Sequence, residues 1–290
     1  YIQPPILTAA GRMWVDLIDV DSQKWLDYSA SGSLPMSLIY GMEGRRLRSL
    51  ENRLASDAER LLVVSDAERR LFLDFCPNAP IQTVGNGVDT EYFAPTGQKV
   101  HPHTCVFVGV LDYVPNSDAV CWFSRNVWPH VRQKFPTAEF RIVGRNPTSE
   151  VSSLNELPGV NVVGPVDDVR PWLNSSSCAV VPLRIARGVQ NKVLEAMACG
   201  RPVVCAPAPL QGLNVEPGLH LLEAETPEEW CQQIQLVFED ETRSQELGMA
   251  AEAWVQLNHR WNACLEPLIE LTHQGTPNDR VHGFLNQQDP

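Results

Sequence analysis

The sequence predicts an α/β protein built on parallel sheets, with helices covering both faces of each sheet. Short runs of Val, Ile and Leu recur along the chain with almost continuous apolar character, which is typical of parallel strands buried on both sides. Helical patterns separate these runs, and this alternation indicates βαβ units in a doubly wound sheet. A stretch rich in Asn, Gly and Pro divides the chain at residues 86–103.

Three strands are expected before this stretch and five or six after it. The predicted strands lie at residues 12–20, 60–65, 80–85, 104–109, 139–144, 161–164, 178–183, 202–207 and 220–224. The predicted helices lie at residues 37–58, 66–76, 116–135, 168–177, 190–200, 227–240 and 242–259. Ser65 with Glu68 and Thr226 with Glu229 form predicted capping boxes, and Asn116 is a predicted N-cap.

The length of 290 residues suits two domains of ordinary size. We predict a partial first domain at residues 1–95, a complete Rossmann-like domain at residues 96–272 and a flexible tail at residues 273–290. The sequence opens YIQPPILTAAGRM, with no initiator Met, no basic segment and no apolar core of a signal peptide. The sequence therefore reads as a piece of something longer.

Composition restricts the classes of partner. The formal net charge of −12 argues against nucleic acid, because neutralising phosphates needs a basic face. The apolar runs are too short for a transmembrane helix. The eight Cys form no CxxC pair, so we interpret them as reduced, buried residues of a cytoplasmic protein, and we expect no metal site.

The pattern with the most chemical content is RIARGVQNKVLEAMACGRPVVCAP, at residues 184–207. A helix is expected to start near Gln190, directly after a strand. Its free N–H groups then point to the carboxyl edge of the sheet, where open parallel sheets bind ligands. The apolar positions of this helix predict that one face is buried.

Cations and one carboxylate lie close together in this pattern. Arg184, Arg187 and Gly188 precede the helix, and Lys192 and Glu195 are three residues apart on one face of it. Loop amides and cations suit a diphosphate, while a carboxylate suits the hydroxyls of a ribose. The alternative is an ordinary surface ion pair between Lys192 and Glu195.

Gly or Pro stands at the end of four strands in the second half of the chain. These residues are Gly109, Gly144, Gly164 and Pro182. Glycines allow a ligand to approach the backbone closely, although each could also serve a tight turn. Four at one sheet edge favour a cleft.

The block LEAMACGRPVV, taken with NGVDTEYFAP, FVGVLDYVPNSDAV and NVVGPVDDVRPWL, resembles retaining GT-B glycosyltransferases of family 4 type. Bacterial sugar transferases of exopolysaccharide clusters are the most similar subgroup. The resemblance covers residues 12–272 and implies a GT-B fold, with one complete donor domain and the back half of a second Rossmann-like domain.

The resemblance implies roles for individual residues. Glu195 matches the family's ribose-binding Glu, whereas Arg187 occupies the position of the Glu that reads hydroxyls of the donor sugar. Gly164, Pro165 and Val166 match the backbone that flanks the nucleotide base. The resemblance therefore does not identify the donor sugar or its mode of binding.

A second departure concerns phosphate binding. The family's Arg and Lys after the first donor-domain strand are absent from the loop that begins at Gly109, GVLDYVPN. We expect Arg184, Arg187 and Lys192 to supply the missing positive charge, with Gly188 giving loop amides access.

A third departure concerns the first domain. Its initial strands and Gly-rich loop have no counterpart here, so the resemblance implies an enzyme with an incomplete acceptor side, which could leave this chain inactive alone. The implied location is cytoplasmic, either free or peripheral at the inner membrane face.

The implied reaction transfers a hexosyl group, with retention, from a nucleoside-diphosphate sugar to a glycan or lipid-linked acceptor. No cofactor is expected and no catalytic base can be named. A non-catalytic nucleotide-sugar-binding remnant and a GT-B sugar epimerase are the alternatives.

Several other residues have structural interpretations. Asp19 and Asp21 form a D-x-D triplet, which metals bind in other transferases, but a strand-end turn with a helix cap is the preferred interpretation here. His101 and His103 are expected to be solvated and His220 to pack. Arg145 is expected either to reach the base or ribose or to be solvated. Trp122 and Trp128 are expected to lie in the core or at an interface.

Overall fold

The computed structural model describes residues 13–273 of the 290. It contains two sheets, and every strand pair in both sheets is parallel. The first sheet has the order β1-β2-β3. Its strands are β1 Trp14–Ile18, β2 Arg60–Val63 and β3 Ile81–Thr83. The prediction of an α/β fold with parallel sheets is confirmed.

The second sheet has six strands in the order β6-β5-β4-β7-β8-β9. These strands are β4 His101–Val108, β5 Glu139–Val143, β6 Val160–Gly164, β7 Ser176–Val181, β8 Val203–Cys205 and β9 Leu222–Glu223. The chain runs from β4 outward to β6 and then returns to the other side at β7. The topological switch point therefore lies between β4 and β7, which is where open α/β sheets bind ligands.

Three helices belong to the first unit, which comprises the described residues up to the end of β3. They are α1 Asp21–Ser31, α2 Met36–Asp57 and α3 Asp66–Phe75. The sequence analysis did not predict α1. Ser65 caps α3 by accepting a bond from the Glu68 amide, but Glu68 Oε2 accepts from the Val20 amide at 2.8 Å instead of closing the box. The predicted box at Ser65 is therefore only half formed.

Nine α-helices of the described residues follow in the second unit, from β4 onward. They are α4 Val114–Asn126, α5 Trp128–Lys134, α6 Ser149–Ser153, α7 Arg170–Asn174, α8 Asn191–Ala198, α9 Pro207–Leu210, α10 Pro227–Glu239, α11 Glu241–Asn258 and α12 Trp261–His273. The single helix predicted at 116–135 is two helices, because Pro129 cannot continue the hydrogen-bond ladder of α4. The capping box of Thr226 and Glu229 is confirmed.

Strand β4 begins three residues earlier than predicted, and this changes the interpretation of two histidines. His101 lies in β4 and its Nδ1 is 3.0 Å from an Arg141 nitrogen. His103 stacks between Phe135 and Phe238, at ring distances of 4.9 and 5.2 Å. His101 is exposed, as predicted, whereas His103 is partly buried because its ring packs against Phe135 and Phe238.

The second unit has an apolar core on each face of its sheet. Trp128 and Trp230 lie in one core, while Val193 and Met197 of α8 lie in the other. Trp122 is partly buried against the first core. All eight cysteines are free, and all except Cys76 are buried.

Helix α12 returns to the start of the link between the two units. A Cβ added to Gly87 would lie 2.7 Å from the Trp261 ring, and the Val88 amide donates to the His259 carbonyl at 2.7 Å. The domain limits predicted from sequence remain predictions. Residues 1–12 and all of the predicted tail except His273 lie outside the described residues. Among residues 13–273, no helix is long and apolar enough to cross a membrane.

Candidate functional site

The residues predicted to bind a ligand lie at the carboxyl edge of the second sheet. Gly109 follows β4 and residues 184–188 follow β7, so these two segments flank the switch point. Gly164 ends β6, which is two strands from β4 and therefore about 10 Å away. The predicted binding residues are thus spread along the carboxyl edge of the second sheet and do not converge on a single point.

Two glycines shape this edge. A Cβ added to Gly144 would lie 1.7 Å from the Gly109 carbonyl oxygen, so the backbones after β4 and β5 touch. Gly164 has a φ of +79°, and the space where its Cβ would lie is open. Pro165 is exposed and Val166 packs against the core beneath. The backbone after β6 is therefore accessible to a flat ligand.

Asn116 links Gly109 to Lys192. It is not the predicted N-cap, because α4 begins two residues earlier at Val114. Its Nδ2 donates to the Val110 carbonyl at 2.8 Å, and its Oδ1 accepts from Lys192 Nζ. The amide thus holds Lys192 next to the loop that follows β4.

Lys192 and Glu195 are half-buried on the exposed side of α8, and Val193 and Leu194 are fully buried. Burial lowers the pKa of Lys192 to about 8, and Glu195 opposes this shift. Burial raises the pKa of Glu195, and Lys192 opposes that shift. Helix α8 therefore presents one cation and one carboxylate close to the switch point. No carboxylate of the described residues forms a recorded salt bridge with Lys192.

The two arginines of the loop already have acidic partners. Arg184 forms an ion pair with Asp118 at 2.5 Å, where both side chains are largely exposed. Arg187 pairs with Asp27 of α1 across the two units. Each arginine is therefore partly neutralised, which leaves Lys192 as the stronger candidate for holding an anion. The assignment of all three cations remains a prediction.

A cavity of about 130 Å³ lies between the two units, next to the loop at 185–189. The first unit contributes residues of β1 and α1 together with Asp19 and Val64, and the link contributes Asn86. Its lining residues are Ile18, Asp19, Lys24, Tyr28, Val64, Asn86, Tyr113, Pro115, Ile185, Ala186, Arg187, Val189 and Gln190. The cavity is continuous with the loop that carries Arg187 and Gly188.

Asp19 and Asp21 do not act as a pair. Asp21 is the first residue of α1, but the N-cap of α1 is Val20 and no side chain caps it, so neither Asp is the predicted helix cap. Asp19 lines the cavity. Burial, then the neighbouring Glu68, raises the pKa of Asp19 to about 6. Within residues 13–273, no group of three or more His, Cys, Asp or Glu could hold a metal ion.

The remaining candidates have ordinary roles. His220 Nδ1 accepts from the Glu216 amide at 3.0 Å and its ring lies 5.8 Å from that of Trp254, so the packing role is confirmed. Arg145 is exposed, and its carbonyl accepts from the Leu111 amide.

Sequence reasoning missed the residues of α1 that face the second unit. Burial, then the neighbouring Tyr113, raises the pKa of Tyr28, and the Lys24 ammonium lies 5.7 Å from the Tyr113 ring. The spacing of Lys24 and Tyr28, four residues apart after an acidic first residue, is a helical signal that was available. Their contact with Tyr113 depends on how the two units pack together, and local sequence patterns hold no information about that packing.

Comparison with known proteins bears on the second unit. Residues 102–240 match the family model described as "Glycosyl transferases group 1". This segment is therefore similar to glycosyltransferase group 1 domains. It contains Gly109, Gly164, Pro165 and Val166 and all of the loop-helix pattern at residues 184–207. No curated protein matches the chain.

Solved structures of glycosyltransferases share the fold. The structure of Alr3699/HepE from Anabaena in complex with UDP-glucose aligns with a TM-score of 0.69 at 16% identity, covering 91% of this chain and 72% of that chain. Sucrose-phosphate synthase from Thermosynechococcus elongatus aligns with a TM-score of 0.65 at 18% identity, covering 79% of this chain and 61% of that chain. A glycosyltransferase from Rickettsia africae aligns with a TM-score of 0.65 at 11% identity, covering 94% of this chain and 82% of that chain. The chain spans 61% of the synthase and 46% of the TarM chain that it also matches. The α/β fold matches GT-B glycosyltransferase structures.

Proposed function

We propose that the protein is a glycosyltransferase that uses a nucleoside-diphosphate sugar. The observation that carries this proposal is the pairing of Lys192 and Glu195 at the switch point, on the first turns of α8. A cation and a carboxylate that are both half-buried suit a ligand carrying a diphosphate and a diol. Bare phosphate alone would be repelled by Glu195.

The proposed pose places each part of the donor along the sheet edge. The base lies near Gly164, Pro165 and Val166, the ribose hydroxyls donate to Glu195, and the diphosphate lies between Gly109 and the loop amides near Gly188. Lys192 and the helix N-terminus stabilise the negative charge that grows on the diphosphate as the sugar leaves. Arg184 and Arg187 add charge when the ligand competes with Asp118 and Asp27.

The finer assignments belong to the same proposal. A hexosyl group moves with retention to a hydroxyl of a glycan or lipid-linked acceptor, in exopolysaccharide or cell-envelope glycan synthesis on the cytoplasmic side. The name of the group 1 family model and the UDP and UDP-glucose in the Anabaena structures support a UDP-sugar as the first donor to test. No observation favours a sugar epimerase or a non-catalytic remnant.

The test of the donor site is binding of UDP by calorimetry, followed by release of UDP from a UDP-sugar. Glu195→Ala is expected to weaken UDP binding by about 1–3 kcal/mol, because the ribose loses hydrogen bonds to a charged acceptor. The preference for UDP over 2′-deoxy-UDP should shrink in the same variant. Glu239→Ala, an exposed carboxylate on α10, is the matched control. Unchanged UDP affinity in Glu195→Ala would show that the ribose lies elsewhere.

Donor binding is also expected to proceed without a divalent metal or other cofactor, since protein cations supply the positive charge in the proposed pose. Excess chelator should change the calorimetric dissociation constant of UDP by about twofold or less, well below the tenfold that 1.4 kcal/mol represents. A much larger loss, restored by Mg²⁺ in the native chain but not in Asp21→Asn, would assign a metal to the D-x-D triplet.

A further inference from the structure

The cavity between the units has polar walls whose groups are mostly bonded to one another. Asn86 Nδ2 donates to Asn191 Oδ1, and Gln190 Nε2 donates to the Arg187 carbonyl. Arg187 itself is held by Asp27. The walls are therefore largely satisfied without a ligand.

Asp19 is the exception in this lining. Its Oδ1 is buried and has no hydrogen-bond partner within residues 13–273. A buried carboxylate oxygen without a donor is costly, since native proteins pair nearly all such atoms. Burial and the charge of Glu68 both disfavour the ionised form, which is why the pKa of Asp19 rises to about 6.

The surroundings of Asp19 supply charge but no hydrogen bond. Glu68 of α3 and Asp21 of α1 repel its negative charge, while Lys24 of α1 and Arg187 of the second unit attract it. Glu68 is already engaged by the Val20 amide. At pH 7 the Asp19 carboxyl group is thus mostly ionised, its ionised form is disfavoured by burial and by Glu68, and its Oδ1 accepts no hydrogen bond from the described residues.

The second unit comes very close to this carboxylate. A Cβ added to Gly188 would lie 2.0 Å from Asp19 Oδ1, so the loop before α8 meets Asp19 through a residue without a side chain. Asp19 Oδ1 is thus covered by Gly188, while the half-buried Asp19 side chain lines the cavity next to the loop at which the proposed diphosphate lies. The cavity volume of about 130 Å³ holds on the order of ten water-sized atoms, which is the size of one hexose ring.

We propose that the Asp19 carboxylate binds a hydroxyl group of the sugar that is transferred. This inference rests on the proposed function, which puts the diphosphate at the neighbouring loop. An ionised carboxylate only accepts hydrogen bonds, and a sugar hydroxyl is a neutral donor that neither Glu68 nor Asp21 repels. Asp19 is then a substrate-binding residue of the first unit that recognises the sugar, while α8 of the second unit binds the nucleotide.

The test compares the dissociation constants of UDP, UDP-glucose and UDP-N-acetylglucosamine for the native chain, Asp19→Ala and Asp16→Asn. For the UDP-sugar that the native chain binds more tightly, the ratio of its dissociation constant to that of UDP should rise about tenfold in Asp19→Ala, the size of one hydrogen bond to a charged group. UDP itself should bind as before. Asp16→Asn, which changes an exposed carboxylate on the strand that precedes Asp19, should leave the ratio unchanged.

The pH dependence gives a second readout that a structural role would not produce. For the native chain, the ratio of the dissociation constant of the UDP-sugar to that of UDP should rise as the pH falls from 7.5 to 5, because protonation of Asp19 removes the charged acceptor. The ratio for Asp19→Ala should stay flat. The melting temperature of Asp19→Ala at pH 7.5 should not fall, since the change removes an unpaired charge beside Glu68.

Two outcomes separate this assignment from the proposed function. If UDP binds and the ratio is unchanged in Asp19→Ala, or if the native chain binds UDP but neither UDP-sugar, the assignment of Asp19 is overturned and the nucleotide site stands. If the native chain binds none of the three ligands, the proposed function is overturned as well.

Discussion

Replacing Lys192 by Met is expected to weaken UDP binding by about 2–5 kcal/mol, the range for removing one partner of a desolvated charge pair. Uridine affinity should change little, because uridine has no phosphate to lose. The half-buried ammonium lies beside the loop after β4, held by Asn116, and has no recorded salt bridge among the described residues. Calorimetry with both ligands measures the difference directly.

The pKa of Lys192 adds a pH signature. Burial lowers this pKa to about 8, so the free protein loses the charge as the pH rises through 8. UDP affinity of the native chain should therefore decline above pH 8, and the decline should be absent in Lys192→Met. Lys134→Met, an exposed lysine at the end of α5, is the matched control. Equal losses for UDP and uridine would assign Lys192 a structural role only.

Gly188→Ala is expected to destabilise the protein and to disturb the meeting of the two units. Gly188 has a φ of +61°, which costs an Ala about 1–2 kcal/mol. The new methyl group would also lie 2.0 Å from Asp19 Oδ1, adding about 1–3 kcal/mol of overpacking. The free energy of unfolding in urea measures the sum, and binding of the UDP-sugar should fall with it.

A matched variant separates the two causes. Gly97 has a φ of +67° and nothing within 4 Å of its absent Cβ, so Gly97→Ala reports the backbone cost alone. The excess of Gly188→Ala over Gly97→Ala measures the contact with Asp19. Combining Gly188→Ala with Asp19→Ala should recover most of this excess, as expected for two residues in contact. Equal costs for Gly188→Ala and Gly97→Ala would mean that Asp19 moves away freely.

The second unit is largely predictable from sequence because its signals are local. The apolar spacing of Val193, Leu194 and Met197 gives α8 and its buried face, and the short Val-rich runs give the strands. Parallel pairing and short connections then put the strand ends at one edge. The closeness of Gly109, Lys192 and Glu195 follows from these rules without any distant contact.

The contacts between the units are not predictable in the same way. The sequence shows Glu68 three residues after Ser65, which is the spacing of a capping box, yet Glu68 accepts a hydrogen bond from the amide of Val20, the residue before α1. Asp27 and Arg187 are 160 residues apart and meet only because two separately formed units come together. Local spacing holds no information about such pairings, and for this reason the cavity and Asp19 required the structure.

The way α12 returns to the link has a mechanical consequence. The link between the units starts near Asn86, and His259, between α11 and α12 of the second unit, is joined to it by hydrogen bonds of 2.7 and 2.8 Å. The start of the link is therefore fastened to the second unit, whereas Asp27 and Arg187 join the units through side chains alone. We expect a relative movement of the two units to break the Asp27–Arg187 pair before it disturbs the link.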